Sequence, residues 1–326
     1  MDLSCAFLTS VDTPDHAVEA ERLGYRRAWV YDSPAIGSDP WMALALAADR
    51  TSTIGLGPAV LVPSLRHPMA NAAAIATLAR LAPGRTAVAF GAGFTGRYTL
   101  GQKPLRWAFV EEYVAAVRAL LRGETVEWEG APIRMQHMDG LLADRPVEVE
   151  IHIGADGPKG TAVAARVGDG IFAGGAPNAL AAGRPHALLQ FGTVLDDGED
   201  LRSERVLAAA GHALAVVYHA MYERVGADAV RGFPGGDDWV RAIEAAPERE
   251  RHLVTHEGHL ARLTDIDREP VRAGADLIPA VTFSGTAAQL REKAAAFEAM
   301  GVTELVYQPA GPDIPGELAR MAEALA

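Results

Sequence analysis

Short apolar runs alternate with amphipathic helical patterns along the length of this chain, and that alternation limits the fold more than any other feature. Leu3–Leu8, Arg27–Tyr31, Ile54–Val62, Arg85–Phe90, Val147–Ile153, Gly170–Ala173, Leu188–Val194 and Thr303–Tyr307 each read as a strand. Their continuous apolar character is that of strands covered on both faces, as in a parallel sheet. Helical patterns lie between them. Thr13 can cap a helix with Pro14 at its first position and Gly24 as its stop. Others run over Pro40–Arg50, Pro68–Leu81, Leu105–Leu121, Lys159–Val167, Thr286–Met300 and Pro315–Leu325. Eight βα units predict a closed α/β barrel, a (β/α)8 fold of the TIM type.

Two segments exceed the minimal unit. Arg122–Arg145 contains GETVEWEGAPIRM, which reads as a small antiparallel hairpin. Asp196–Leu277 is mostly helical in pattern and rich in Glu, Asp, Arg and His. It reads as an insertion, about 196–277, at the C-terminal rim, where barrel enzymes place lids and substrate loops. The length of 326 residues would admit two domains, but barrels of this class commonly exceed the usual domain size. One barrel domain over 1–326 is therefore expected.

Within this frame Ile151–Gly175 is the most specific stretch. It reads strand, glycine-rich turn, helix, strand. Gly154, Ala155, Asp156 and Gly157 are small enough for a tight turn, and Pro158 suits the first helical position, where its missing N–H costs nothing. Such a turn aims free N–H groups and the positive end of a helix dipole at whatever sits outside the sheet, a position that suits a phosphate. An ordinary βα turn has the same pattern.

The formal net charge of -12 argues against a general nucleic-acid surface, which needs clustered Lys and Arg. It does not exclude an anionic ligand in a local pocket. The single cysteine, Cys5, rules out an internal disulfide and reads as a small core residue. MDLSCAFLTS lacks the basic start and long apolar run of a signal peptide, and no stretch is long enough to span a bilayer. A cytoplasmic protein with a small-molecule substrate, no membrane partner and a homodimeric assembly is expected.

In a barrel the active groups sit at the C-terminal ends of the strands. Here those ends are Tyr31-Asp32-Ser33-Pro34, Pro58–Pro63, Phe90–Phe94, Gly154–Gly157 and Gly174-Gly175. Most consist of Gly, Ala and Val. Acid–base hydrolysis needs several placed ionisable groups. Bare ends instead suit a flat ligand that approaches backbone closely, so that a cofactor carries the chemistry.

The order of motifs resembles the bacterial luciferase-like family of flavin-type oxidoreductases. It is closer to the branch that uses the deazaflavin coenzyme F420, which includes methylenetetrahydromethanopterin reductase. The matching pieces are AWVYDS (Ala28–Ser33), Ile54–Arg85, FGAGF (Phe90–Phe94), Glu112–Glu124, GADGPKG (Gly154–Gly160), DGIFAGG (Asp169–Gly175) and Phe283–Gly311. They cover nearly the whole chain in the family's order.

The resemblance implies a cofactor site of Asp32, Ala59, Val60, Gly91, Ala92, Gly93, Gly154, Ala155, Asp156, Gly157, Gly174 and Gly175. It implies a non-proline cis peptide at Ala59–Val60 behind the central ring, and a phosphate against Asp156–Gly157 near Gly174-Gly175. There are departures. Ser33 stands where the family often has His. Asp156 replaces a second Gly or an Arg, so its carboxylate would have to point away from the phosphate. Phe94 stands where the sugar-phosphate dehydrogenases of this branch carry a catalytic Glu, which puts sugar-phosphate oxidation in doubt. Asp32 could instead cap a turn, and Arg66, Arg97 and Lys159 could contact an anionic tail or lie on the surface.

His252, His256, Glu257 and His259 invite a metal reading. However, His256-Glu257-Gly258-His259 is not H-E-x-x-H, and the sequence shows no clear third ligand, so no metal is expected. His256 and His259 are instead the candidate catalytic residues, as proton donors on the substrate side of the insertion. The expected activity is F420-dependent hydride transfer to or from a C=C, C=N or carbonyl group. The alternatives are an FMN-dependent monooxygenase on the same fold and a flavin or deazaflavin binder without turnover.

Overall fold

The chain is represented by a computed structural model that describes residues 1–181 and 183–326. Its strands are β1 (Asp2–Phe7), β2 (Arg27–Val30), β3 (Gly55–Pro58), β4 (Ala87–Gly91), β5 (Val126–Trp128), β6 (Ala131–Ile133), β7 (Glu150–Gly154), β8 (Gly170–Gly174), β9 (His186–Phe191) and β10 (Glu304–Gln308). Among the described residues, eight form one parallel sheet in the order β3-β2-β1-β10-β9-β8-β7-β4. Single bridges Leu56↔Thr86 and Leu61↔Phe90 join its edges and close the barrel. β5 and β6 form the expected hairpin.

Alternating strand residues divide two cores. Outward-facing Leu56, Val88, Phe90, Ile151 and Ile153 pack under helices that contribute Leu44, Ile75, Val110 and Val117. Ala6, Trp29, Tyr31, Ala87, Ala89, Phe172, Ala187 and Val306 fill the lumen, so the barrel is a packed core rather than a pore. The β3 and β4 backbones need the space that Gly57 leaves: a Cβ there would stand 1.6 Å from the Ala87 carbonyl oxygen. At the lumen floor Arg27 donates to Glu304 (3.0 Å) and Glu150 (2.9 Å), and Trp29 Nε1 donates to Glu304 (2.9 Å). Every charge there has a partner, as burial requires.

Two sequence expectations shift. Thr13 is the first residue of its helix rather than the cap; Asp12 holds the cap position, and the Thr13 hydroxyl accepts from the Ser10 N–H instead. The seventh barrel strand is His186–Phe191 rather than Leu188–Val194. Gly192 ends it at φ +156, where a Cβ would lie 2.2 Å from the Phe283 carbonyl oxygen.

Between β9 and the helix Ala287–Ala299 the chain is mostly helical, as its pattern predicts. One long helix, Glu204–Arg224, contains a π turn over Leu207–Gly211. With Gly236–Glu244 and Asp265–Ala273 it encloses a separate core of Leu214, Tyr218, Trp239, Ile243, Val271 and Ile278. This core gives the insertion its own rigidity above the barrel mouth.

Candidate active site at the barrel mouth

The glycines at the mouth do two different jobs. A Cβ on Gly91 would lie 2.8 Å, and one on Gly154 2.7 Å, from the Val60 side chain. These two glycines therefore make room for Val60. Val60 follows the Ala59–Val60 peptide, which is cis. Gly93 has φ +79 and turns the chain after β4. Gly157 and Gly175, in contrast, have no atom within 4 Å of a built Cβ, and Gly174 has only Asp156 Oδ1 at 3.9 Å. Open space thus lies over the β7 and β8 ends. It borders the half-buried surfaces of Val60, Ala92 and Gly154.

Gly157 is the N-cap of the helix Pro158–Val167, and no side chain caps that helix among the described residues. Its first-turn N–H groups face outward, as an anion site needs. Asp156 changes the expected arrangement. Its Oδ1 accepts the Gly174 N–H at 2.7 Å, so the carboxylate spans the β7 and β8 loops instead of pointing away. The Gly175 N–H is directed to the Leu189 carbonyl oxygen. The Gly157 end of the cradle is what stays open.

Asp32 does not face the mouth. Both its oxygens accept from Arg66 Nη1 at 2.7 Å, and its side chain is fully buried. Burial pushes its carboxyl above the usual range, and Arg66 pulls it back. Arg66 also reaches Asp39 (2.8 Å), which caps the helix Pro40–Arg50. The pair thus fixes the loop that follows Val60. Arg97 is tied to Ser64 and the Lys103 carbonyl, and Lys159 is exposed.

The insertion closes over the other side of the mouth. Leu260, at φ +67, is buried in the lumen cluster with Tyr31, Ala59 and Phe172. Gln308 Nε2 donates to the Leu260 carbonyl at 2.8 Å, and the Tyr31 hydroxyl donates to Gln308 Oε1. Phe94 packs edge-on to Tyr98 (4.9 Å between centroids) and lies 6.2 Å from the His259 ring. The Arg224 guanidinium sits 4.9 Å above the Phe94 ring. Burial raises the Asp156 carboxyl pKa, opposed first by the Gly174 N–H and then by the Arg224 charge.

His256 and His259 are not rim residues, because both are 2% exposed inside the insertion. His256 Nε2 approaches Glu223 (3.3 Å), and His259 Nδ1 lies 2.7 Å from His219 Nδ1. Burial first, then the neighbouring histidines, push His259 well below its ordinary pKa. The third ligand that the sequence does not show has a candidate in His219, which arrives from the long helix and lies with His256 and His259. The sequence does carry a signal for it: His212 and His219, seven apart, share one helix face. Arg224 and Leu260 had no such signal, because only the folded insertion brings them to the mouth; Gln308 already stands at the C-terminal end of β10.

Residues 10–304 match the luciferase-like monooxygenase family, and the chain belongs to that family. It is 35% identical over 177 residues to an F420-dependent glucose-6-phosphate dehydrogenase of Beutenbergia cavernae, covering 48% of this chain and 50% of that protein. It is 32% identical over 157 residues to the 5,10-methylenetetrahydromethanopterin reductase of Archaeoglobus fulgidus, covering 47% of this chain and 46% of that one. The chain spans about half the length of these curated relatives. Its fold is that of the coenzyme F420-dependent tetrahydromethanopterin reductase of Methanopyrus kandleri (TM-score 0.66, 18% identity, 100% of this chain and 99% of that one).

Proposed function

We propose that this protein is a coenzyme F420-dependent oxidoreductase that moves hydride between the deazaflavin and a small organic substrate carrying a C=C, C=N or carbonyl group. The observation that carries the reading is the open space over Gly157 at an uncapped helix N-terminus, with the side-chain-free Gly174 and Gly175 next to it. The residues present fit such a cofactor: backbone for a phosphate and small apolar surface for a ring. The sequence relatives named for F420 support the choice of cofactor. When bound, the deazaflavin supplies the hydride chemistry.

The chain's own residues bind, orient and exclude water. Gly157 and the first helical turn would hold the phosphate, with Gly174 and Gly175 beside it. Val60, Ala92 and Gly154 would back the ring, with Ala59, Gly91, Gly93 and Ala155 shaping the backbone behind them. Arg224 is the cation on hand for an anionic tail. Leu260 seals the lumen, and segment 196–277 is the lid of a single barrel domain. Phe94 leaves no acid at the position where sugar-phosphate dehydrogenases carry one. In this reading the proton comes from solvent at the mouth rather than from His256 or His259. We place the protein in the cytoplasm; among the described residues no helix is long and apolar enough to cross a membrane. A homodimer is supported by Met42 and Leu46, one helical turn apart and exposed.

The test is a titration of purified protein with F420 and with FMN, followed by absorbance and fluorescence. F420 should be retained and FMN should not; preferential FMN retention would favour an oxygen-using monooxygenase, which the family description accommodates. Gly157→Val is the control. Its side chain enters open space at φ -134, so the variant should fold normally yet lose binding by about 100-fold or more. Unchanged affinity would put the phosphate elsewhere.

A further inference from the structure

The insertion brings together buried histidines that the proposed cofactor site does not use. We propose that His219, His256 and His259 bind one divalent transition-metal ion of the zinc class, and that this ion pins the turn carrying Leu260 over the barrel mouth. One ring nitrogen of each lies within 4.8 Å of the others, and all three side chains are buried. Three imidazoles select this class of metal over magnesium or calcium, which prefer oxygen ligands.

The outer hydrogen bonds have the form of a metal site. His219 Nε2 faces Asp267 Oδ1 (3.3 Å), which leaves Nδ1 directed into the cluster. His256 Nε2 faces Glu223 (3.3 Å), and its Nδ1 is buried without a partner. A carboxylate behind each of two histidines fixes ring orientation and raises ligand basicity. Asp267 is itself held by Trp239 Nε1 (2.9 Å) and the Thr264 hydroxyl (2.6 Å). The two carboxylates also offset the charge of a divalent ion in a buried place.

Without an ion the cluster is poorly satisfied. His259 Nε2 and both nitrogens of the adjacent His212 are buried and unpartnered, a costly state for polar atoms. Tetrahedral ligand nitrogens about 2.05 Å from zinc stand about 3.3 Å apart. The His219 and His259 nitrogens are at 2.7 Å, so the rings need to spread by only about 0.6 Å. His256 and His259 flank a turn whose next residue is Leu260, and the Leu260 carbonyl is anchored on Gln308 of β10. A metal joining that turn to the helix His212–Arg224 would lock the cap from above while Gln308 holds it from below.

The experiment uses untagged full-length protein, stripped with a chelator, dialysed against zinc or cobalt and freed of excess metal. The expected content is about one metal per chain, with cobalt giving the visible bands of a tetrahedral nitrogen-rich site. Zinc should raise Tm by several degrees, because an ion that binds only the folded state stabilises it. Trp239, stacked on His219 at 5.7 Å, should report cobalt binding by fluorescence quenching. His219→Gln and His256→Gln should each lower the content at least about tenfold. His256 touches only Glu223 through hydrogen bonds, so the second variant should keep its fold if the first does not. Wild-type protein that holds less than about one tenth of an equivalent, with unchanged Tm, would overturn the proposal. So would full metal content in both variants.

Discussion

Asp156→Asn separates the two halves of what Asp156 does. The asparagine oxygen can accept the same Gly174 N–H that the carboxylate accepts at 2.7 Å, so the loop geometry is retained while the charge is removed. The lost charge-assisted part of that bond costs on the order of 0.5–1 kcal/mol of stability. If the phosphate lies at the Gly157 end of the cradle, that charge opposes a singly charged phosphodiester at a separation on the order of 6 Å. With an effective dielectric of roughly 40–80, the repulsion is about 0.7–1.4 kcal/mol. Its removal should tighten F420 about 3- to 10-fold, and by about twice that free energy for a phosphomonoester of nearly double charge. The assay is a fluorescence titration at low and high salt, and the gain should shrink as screening rises. Crowding at the mouth raises the Asp156 carboxyl pKa, so wild-type affinity should climb as pH falls through that raised value. The Asn variant should lack that climb. Equal or weaker binding by a folded Asp156→Asn protein at low salt would refute the placement of the phosphate.

His212 is fully buried and its pKa is pushed down to about 4, so the folded state excludes a proton that the unfolded chain takes up below about 6.5. The stability is present above about 6.5 and is lost as pH falls toward 4, up to about 3 kcal/mol; His212→Leu should flatten Tm against pH over that window, and an unchanged slope would contradict this. Leu260→Ala removes the lumen plug and should cost about 2–4 kcal/mol in urea unfolding, whereas a loss below about 0.5 kcal/mol would mean the cap is not packed. Phe94→Glu places a carboxylate under the Arg224 guanidinium, now 4.9 Å above the ring. Arg224 should hold it ionised, so the variant should not gain sugar-phosphate turnover unless Arg224 is also replaced; turnover by the single variant would show that Arg224 does not control the position.

Much of the barrel was legible because its signal is local. Each strand is a short apolar run, each helix has its own period, and the hairpin and insertion show as departures from the repeat. The misplaced seventh strand shows the limit. Leu188–Val194 is apolar except at Gln190 and Thr193, and the Phe283 carbonyl lying against Gly192 decides where pairing ends. The candidate site was legible as a set of glycines but not as roles. Gly91 and Gly154 look like Gly157 in sequence, yet two of them accommodate Val60 and the third opens to solvent. Asp32 resembled a pocket residue because its partner Arg66 is 34 positions away. His219 was missed for the same reason: it meets His259 across 40 residues of chain.

These non-local contacts explain how a mouth with so few ionisable groups can still be a built site. The barrel contributes backbone and small side chains, which can cradle a cofactor but cannot choose a substrate or seal the ring from water. The insertion contributes Leu260 in the lumen and Arg224 beside Asp156. Its own core around Trp239 and Tyr218 holds both ends of that contribution, because Arg224 ends the helix whose interior carries His219. The hydrogen-bonded histidines and Asp267 join that helix to the turn before Leu260. A change that loosens the histidine cluster should therefore move the cap and the cation together, altering access and cofactor affinity without touching the glycine cradle. On the proposed function, that coupling would place specificity in the insertion and leave cofactor recognition to the barrel.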